Sequence, residues 1–247
     1  MRLPAKKKLV RPKDASMEDV SKAMRLLAKV CHSDVNGGND EELKEITGNY
    51  NKIKQFNQSQ THIGFILDDS GSMASRKHDA IRSYNALLQS QASNKSRATF
   101  SLDTFKDSSQ VIPIYQAPML NGRTYQCSGS TPLYDTIAHS IFKIERELGN
   151  PTDIIVIIST DGQELSSREW KDPMKLKGLV QSKQEIGWQF IYCSSAYQAI
   201  EHGVKIGIPR TCVTDFRDIN LIFGTISKLL TSYRRGDIKQ ITFEGVV

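Results

Sequence analysis

Two short, almost unbroken apolar runs constrain this chain more than any other feature. His62-Ile63-Gly64-Phe65-Ile66-Leu67 stops abruptly at Asp68-Asp69-Ser70-Gly71-Ser72, and residues 153–159 (DIIVIIS) stop at Thr160-Asp161-Gly162. Apolar runs this short, bounded by polar turns, read as strands buried on both faces of a sheet. The polar clusters then sit at the carboxyl ends of those strands, where open α/β sheets bind ligands. In the first cluster Asp68, Ser70 and Ser72 alternate with Asp69 and Gly71. Three oxygen-bearing side chains can therefore converge on one small volume, the arrangement a hard cation requires.

The intervening segments alternate in period. A helix is expected at about 76–92, with Ala80, Tyr84, Leu87 and Leu88 inward. Residues 98–105 and 110–115 are strand-like, and the four residues Lys106-Asp107-Ser108-Ser109 between them are too few for a parallel crossover, so an antiparallel hairpin is expected. Thr131-Pro132 reads as a helix start, Thr131 capping and Pro132 in the first position. That helix should run to about 148 with Ile137, Ile141 and Ile144 in the core. Helices at 173–185, 197–203 and 216–231 and strands at 188–194 and 210–214 complete the set. The alternation specifies an α/β fold: a doubly wound, mainly parallel six-stranded sheet with one antiparallel edge strand, Rossmann-like in order 3-2-1-4-5-6. In that order strands one and four are neighbours at the switch point, so Asp68, Ser70, Ser72, Thr131 and Asp161 come together from three separate segments. An all-oxygen set of carboxylates and hydroxyls suits Mg²⁺, with Mn²⁺ or Ca²⁺ as alternatives, and offers zinc no soft ligand.

Charge divides the chain. The formal net charge is +6, and Arg2, Lys6, Lys7, Lys8, Arg11 and Lys13 alone account for it, leaving a neutral body. Residues 1–15 are expected to be a flexible basic arm, the one place for a nucleic-acid contact, since a neutral body argues against a broad phosphate-binding surface. Residues 16–61 read as a helical hairpin and linker: Val20, Ala23, Met24, Leu27 and Val30 recur at helical spacing, then Leu43, Ile46, Tyr50 and Ile53. Asp34, Asn36 and Glu45 fall at calcium-loop spacing between the two helices, but Asn39 stands where that loop needs glycine, so a plain hairpin is expected. Residues 62–231 form the main domain. In the tail, 232–247, the alternation of Ile238, Ile241 and Phe243 suggests an added edge strand, a clip onto a partner, or a disordered end. The longest strongly apolar run, 154–158, is far short of the ~20 residues that span a bilayer, and no apolar segment follows the basic arm. Four scattered cysteines, Cys31, Cys127, Cys193 and Cys212, read as reduced thiols. No membrane association and a cytoplasmic location, with a virion component as the other setting, are the expectations.

The motif set Asp68-x-Ser70-x-Ser72, then Thr131 within Gly129-Ser130-Thr131-Pro132-Leu133, then Asp161 within Ser159-Thr160-Asp161-Gly162, resembles the metal-ion-dependent adhesion site of von Willebrand factor type A (vWA) domains. The resemblance covers about 62–231, and the segment Gly187-Trp188-Gln189-Phe190 is most similar to stand-alone bacterial or phage members. It implies Ser70, Ser72 and Thr131 as direct metal ligands, with Asp68 and Asp161 balancing charge directly or through water. It also implies a partner protein whose Asp or Glu carboxylate completes the metal shell. Asp69 and Glu164 lie nearby without an implied role and are expected to be solvated surface acids.

Three functions compete. The oxygen cluster points to a metal-dependent protein-binding module for adhesion or assembly. The basic arm and hairpin point to a structural protein of a phage particle or ribonucleoprotein, with the fold as scaffold. A Mg²⁺-dependent hydrolase is the third, but no nucleophile and base stand out: His32, His62, His78, His139 and His202 lie in no catalytic motif, and Ser70 sits in a DxSxS turn rather than a GxSxG elbow. The chain is therefore expected not to be an enzyme.

Overall fold

The structure is a computed structural model that describes residues 61–94, 98–149, 153–162, 164, 166–195, 199–215 and 217–245, together with 22–23, 25–26 and 44–48. It divides into two compact units, Met1–Gln60 and Thr61–Val247. In the first unit the described residues are all helical. The basic arm, most of the hairpin, the linker up to Gln60, and Asp34, Asn36 and Asn39 of the calcium-loop spacing lie outside the described residues. Among the described residues no helix is long and apolar enough to cross a membrane.

The second unit is a six-stranded sheet with helices on both faces. Its strands are β1 (Thr61–Leu67), β2 (Ala98–Asp103), β3 (Ile112–Pro113), β4 (Ile154–Thr160), β5 (Gln189–Ser194) and β6 (Val213–Asp215), in the order β3-β2-β1-β4-β5-β6. Every pairing is parallel except β2 with β3. The helices are α1 (Lys77–Ala92), α2 (Leu133–Leu148), α3 (Pro173–Glu185), α4 (Ala199–Lys205) and α5 (Ile219–Arg235). The α/β class, the strand order and the antiparallel edge follow the sequence reading.

Period-two alternation sorts the strand residues between two cores. Ile63, Phe65, Leu67, Ile155 and Ile157 meet Tyr84 and Leu87 of α1 and Phe223, Ile226 and Leu230 of α5. Ile66, Ile154, Val156 and Ile158 meet Ile137, Ile141 and Ile144 of α2 and Leu176 and Val180 of α3. Each fully buried aliphatic side chain contributes roughly 1.5–3 kcal/mol, so β1 and β4 anchor both layers. Gly64 sets the spacing on the second face: a Cβ there would lie 2.8 Å from Ile144 Cδ1.

Three expectations change. β3 is two residues rather than six, because Pro113 brings no N–H to the ladder and the chain turns at once into a 3₁₀ turn, Ile114–Gln116. The last helix runs to Arg235 and stops at Gly236, whose φ of 81° suits the left-handed cap. The tail adds no strand and packs on its own unit: Ile241 and Phe243 are buried beside α5, the Ile241 N–H donates to Gln189 Oε1 (2.8 Å), and the Phe243 N–H donates to the Thr211 carbonyl (2.8 Å).

A polar strip runs under α2. His62 shares hydrogen bonds with Thr99 Oγ1 (3.0 Å) and Ser101 Oγ (3.2 Å). Further along, Lys143 of α2 is buried against the Asp103 carboxylate, which also accepts from the Ser140 hydroxyl. Burial, helped by the Lys143 ammonium, pushes His62 down to about 3. The folded chain holds His62 neutral where the unfolded chain protonates it, so its effect on stability is absent above pH 6.5 and grows as the pH falls toward 3. Stability should fall by about 1.4 kcal/mol per pH unit from this one residue. Urea denaturation between pH 6.5 and 5, above most carboxylate titration, should show that slope in the wild type and a flatter one in His62→Gln; equal slopes would refute the assignment.

Candidate metal centre

The site forms where β1 and β4 end side by side. Asp68 follows β1 directly and is fully buried, and its carboxylate joins the two loops. Oδ1 accepts from the Ser70 N–H (2.8 Å); Oδ2 accepts from the Thr160 hydroxyl and from the Asp161 N–H (3.3 Å). The chain then enters a 3₁₀ turn, Gly71–Arg76, which turns Ser72 back toward the β4 loop. Ser70 Oγ lies 3.0 Å from Ser72 Oγ, and the Ser72 hydroxyl donates to Asp161 Oδ1 at 2.6 Å. Ser70 is buried, Ser72 exposed and Asp161 half-buried.

Thr131 completes the group. A Cβ on Gly162 would lie 3.5 Å from Thr131 Oγ1 and 3.8 Å from Asp68 Oδ2, so hydroxyl and carboxylate face the same point. The expected helix start is corrected here. α2 begins at Leu133 with Pro132 as its N-cap, and Thr131 makes no capping bond. The residue is 3% exposed. All five oxygen-bearing residues named from the sequence are thus brought together.

The reading of Asp69 and Glu164 as solvated acids is overturned. Glu164 does the capping that Thr131 does not: Oε2 accepts from the Tyr134 N–H at 2.7 Å, while Oε1 accepts from Ser166 N (2.8 Å) and Ser167 N (2.6 Å). Asp69 is 4% exposed, accepts from the Phe105 N–H at 3.0 Å and pairs with the Lys106 ammonium at 3.3 Å. Both hold loops rather than face solvent. Local sequence shows only an acid among polar residues; the two serines following Glu164, a short loop able to wrap a carboxylate, are the one hint.

Three further residues escaped the sequence reading. The buried Tyr125 hydroxyl donates to the Asp68 carbonyl, docking the 117–130 loop, which also ties in through Gly71 N to Gly129 O (3.2 Å). Lys106 donates to the Asp69 carbonyl (3.0 Å) and the Gln126 carbonyl (2.7 Å). Arg76, at the end of the 3₁₀ turn, lies 3.7 Å from Asp161 Oδ2 and donates to Ser195 Oγ. Burial pushes the Asp161 carboxyl above its ordinary range; the Asp68 charge adds to this, and the Ser72 hydroxyl and Arg76 oppose it.

Chemically the cluster offers two carboxylates and three hydroxyls. No group of three or more His, Cys, Asp or Glu suited to a metal occurs among the described residues. The donor set therefore fits a hard, oxygen-seeking ion such as Mg²⁺ or Mn²⁺ and not zinc.

No protein-family model and no curated protein sequence matches the chain. Solved structures do. A von Willebrand factor type A protein from Catenulispora acidiphila superposes with a TM-score of 0.50 at 15% identity, covering 72% of this chain and 43% of that one. Proximal thread matrix protein 1 of the mussel byssus gives 0.42 at 18% identity, over 70% of this chain and 46% of that one. The manganese-loaded TRAP protein of Plasmodium vivax gives 0.44 at 13%, over 67% and 71%. The chain spans less than half the length of the first two. With the bacterial superposition, the second unit has the vWA fold.

The capping role of Glu164 gives a measurable expectation. Glu164→Ala strands the Tyr134 N–H and frees the 164–167 loop, at a cost of about 1–3 kcal/mol. Chemical denaturation should show that loss; an unchanged midpoint would mean that the cap is dispensable.

Proposed function

We propose that this vWA fold is a divalent-metal-dependent protein-binding module. In this reading Asp68, Ser70, Ser72, Thr131 and Asp161 hold Mg²⁺ or Mn²⁺, and a carboxylate of a partner protein docks there. The observation that carries the proposal is the convergence of five oxygen-bearing side chains at the loops after β1 and β4 and the start of α2, with Thr131 making no capping bond. Its hydroxyl is therefore available to a ligand at the cluster. When bound, the cation supplies a Lewis-acidic centre with a coordination position for an exogenous oxygen.

The protein's own residues perform the remaining tasks. Asp68, fixed by Ser70 N, Asp161 N and the Thr160 hydroxyl, holds the two loops in register. Ser72, exposed, presents its hydroxyl at the rim, and Asp161 brings the second charge. Arg76 neutralises part of that charge and competes with any cation for Asp161. The chemistry of such a site is recognition rather than turnover. His62 is committed to Thr99 and Ser101 and His139 to Glu169, so neither serves Ser70 or Ser72 as a base. The proposed partner is an acidic surface of another protein in an assembly; for the whole protein, a phage or bacterial setting is part of the proposal.

Two variants test the metal site. Thr131→Ala should leave the stability of metal-free protein within about 0.5 kcal/mol, because its hydroxyl makes no capping bond to lose. It should weaken Mn²⁺ binding in calorimetric titration by about tenfold or more. Arg76→Ala should tighten Mn²⁺ binding by about two- to fivefold, the worth of a part-exposed ion pair. Affinity capture with wild-type and Thr131→Ala protein in Mg²⁺ or EDTA then tests the docking function. A partner retained equally under all conditions would sink the metal-dependent reading.

A further inference from the structure

A cavity of about 240 Å³ lies among the C-terminal side of β5, the start of α2, the entry to α3 and the helix α4. None of the five oxygen-cluster residues lines it. Its walls are apolar where Leu133 and Ile206 contribute, and cationic where Lys171 and Lys205 do, with the His202 imidazole beside them. The two lysines are exposed and His202 is half-buried, so charge gathers at the mouth.

Tyr192 of β5 lines the interior. It is fully buried, and its hydroxyl has no hydrogen-bond partner of good geometry among the described residues; the Ser194 side chain lies near enough to interact with it but does not satisfy it. The ring is held rigidly. A Cβ on Gly203 of α4 would lie 3.1 Å from Tyr192 Cδ1 and 2.7 Å from Val213 Cγ2, so the missing side chain lets α4 press the phenol into one position. Burial pushes this phenol above its ordinary pKa, so at neutral pH the group is an O–H donor. A fully buried donor without an acceptor is uncommon and calls for an explanation.

The chemistry of the lining narrows the occupant. Glu164 is the acid of the cavity, but its oxygens are occupied by three backbone N–H groups and the Ser167 hydroxyl. Two ammonium groups lining the cavity against one acid whose oxygens are already occupied disfavour a cation. An apolar molecule would leave the Tyr192 hydroxyl without an acceptor and strip water from the lysines. A compact anion fits, and a tetrahedral one presents separate oxygens to donors arriving from α4, from the α3 entry and from β5. Lysine meets phosphate as a mobile point charge without a fixed approach geometry.

We propose that this cavity binds a small phosphate anion, inorganic phosphate or a compact phosphate monoester, with Lys171, Lys205 and His202 at its mouth and the Tyr192 hydroxyl at its base. The site is independent of the metal cluster, and its test is run in EDTA so that the two readings stand or fall separately.

Full-length protein is titrated calorimetrically with inorganic phosphate, then with glycerol phosphate, against acetate at matched ionic strength. Saturable binding of either phosphate and none of acetate is expected. Lys171→Ala/Lys205→Ala, both exposed positions, should bind about tenfold more weakly or worse while melting as the wild type does. Tyr192→Phe should melt at the same temperature or higher in the absence of phosphate, since it removes an unpartnered hydroxyl, and should also bind about tenfold more weakly. Either phosphate alone saturating the wild type identifies the source. A response that acetate reproduces, the absence of saturation with both phosphates, or unchanged affinity in the two variants overturns the proposal.

Discussion

The carboxyl edge of the sheet depends on one buried carboxylate. Asp68 has no access to solvent, and an ion there persists only if donors replace its water. They come from three places: the Ser70 N–H in its own turn, and the Thr160 hydroxyl and Asp161 N–H at the end of β4. Because β1 and β4 are neighbours in parallel register, with Leu67 opposite Ser159, the donors and the acceptor arrive together. The loop containing Tyr125 then closes over the backbone of the same residue. Disturbing Asp68 would release two strand ends and a third loop at once.

That dependence explains why so much was legible in the sequence. A buried strand that must end in a satisfied carboxylate shows itself as an apolar run broken by Asp-x-Ser-x-Ser, and its neighbour as an apolar run broken by Thr160-Asp161-Gly162. The same periodicity that separates Ile63 and Phe65 from Ile66 reveals which strands carry helices on both faces. What was not legible are bonds between residues far apart that local pattern does not encode. Glu164 reaches the Tyr134 N–H across 30 residues and Asp69 the Phe105 N–H across 36. The Thr131-Pro132 pair misleads for a related reason: a threonine before a proline is a good local cap, but Glu164 reaches the helix end first and leaves Thr131 to the site. Arg76 gives no signal at all, because its meaning depends on a turn that bends it toward Asp161.

The two polar systems of the unit behave differently under the same rule. Beneath α2, His62, Thr99 and Ser101 satisfy one another, and Asp103 with Lys143 and Ser140 forms a closed ionic set. At the carboxyl edge satisfaction is incomplete among the described residues: Thr131 makes no capping bond, and the buried Tyr192 hydroxyl in the neighbouring cavity lacks a partner of good geometry. Closed polar networks specify a fold, whereas open ones are where a molecule from outside completes the count.

The sheet edges limit how this chain can meet another. β3 offers two residues, one of them a proline, and β6 offers three. An edge that short, with Pro113 on it, gives an incoming chain almost no ladder to extend. Recruitment by strand donation and runaway edge-to-edge stacking are both blocked by geometry. Contact between the second unit and another chain therefore falls to its loops and helix faces rather than to its sheet flanks.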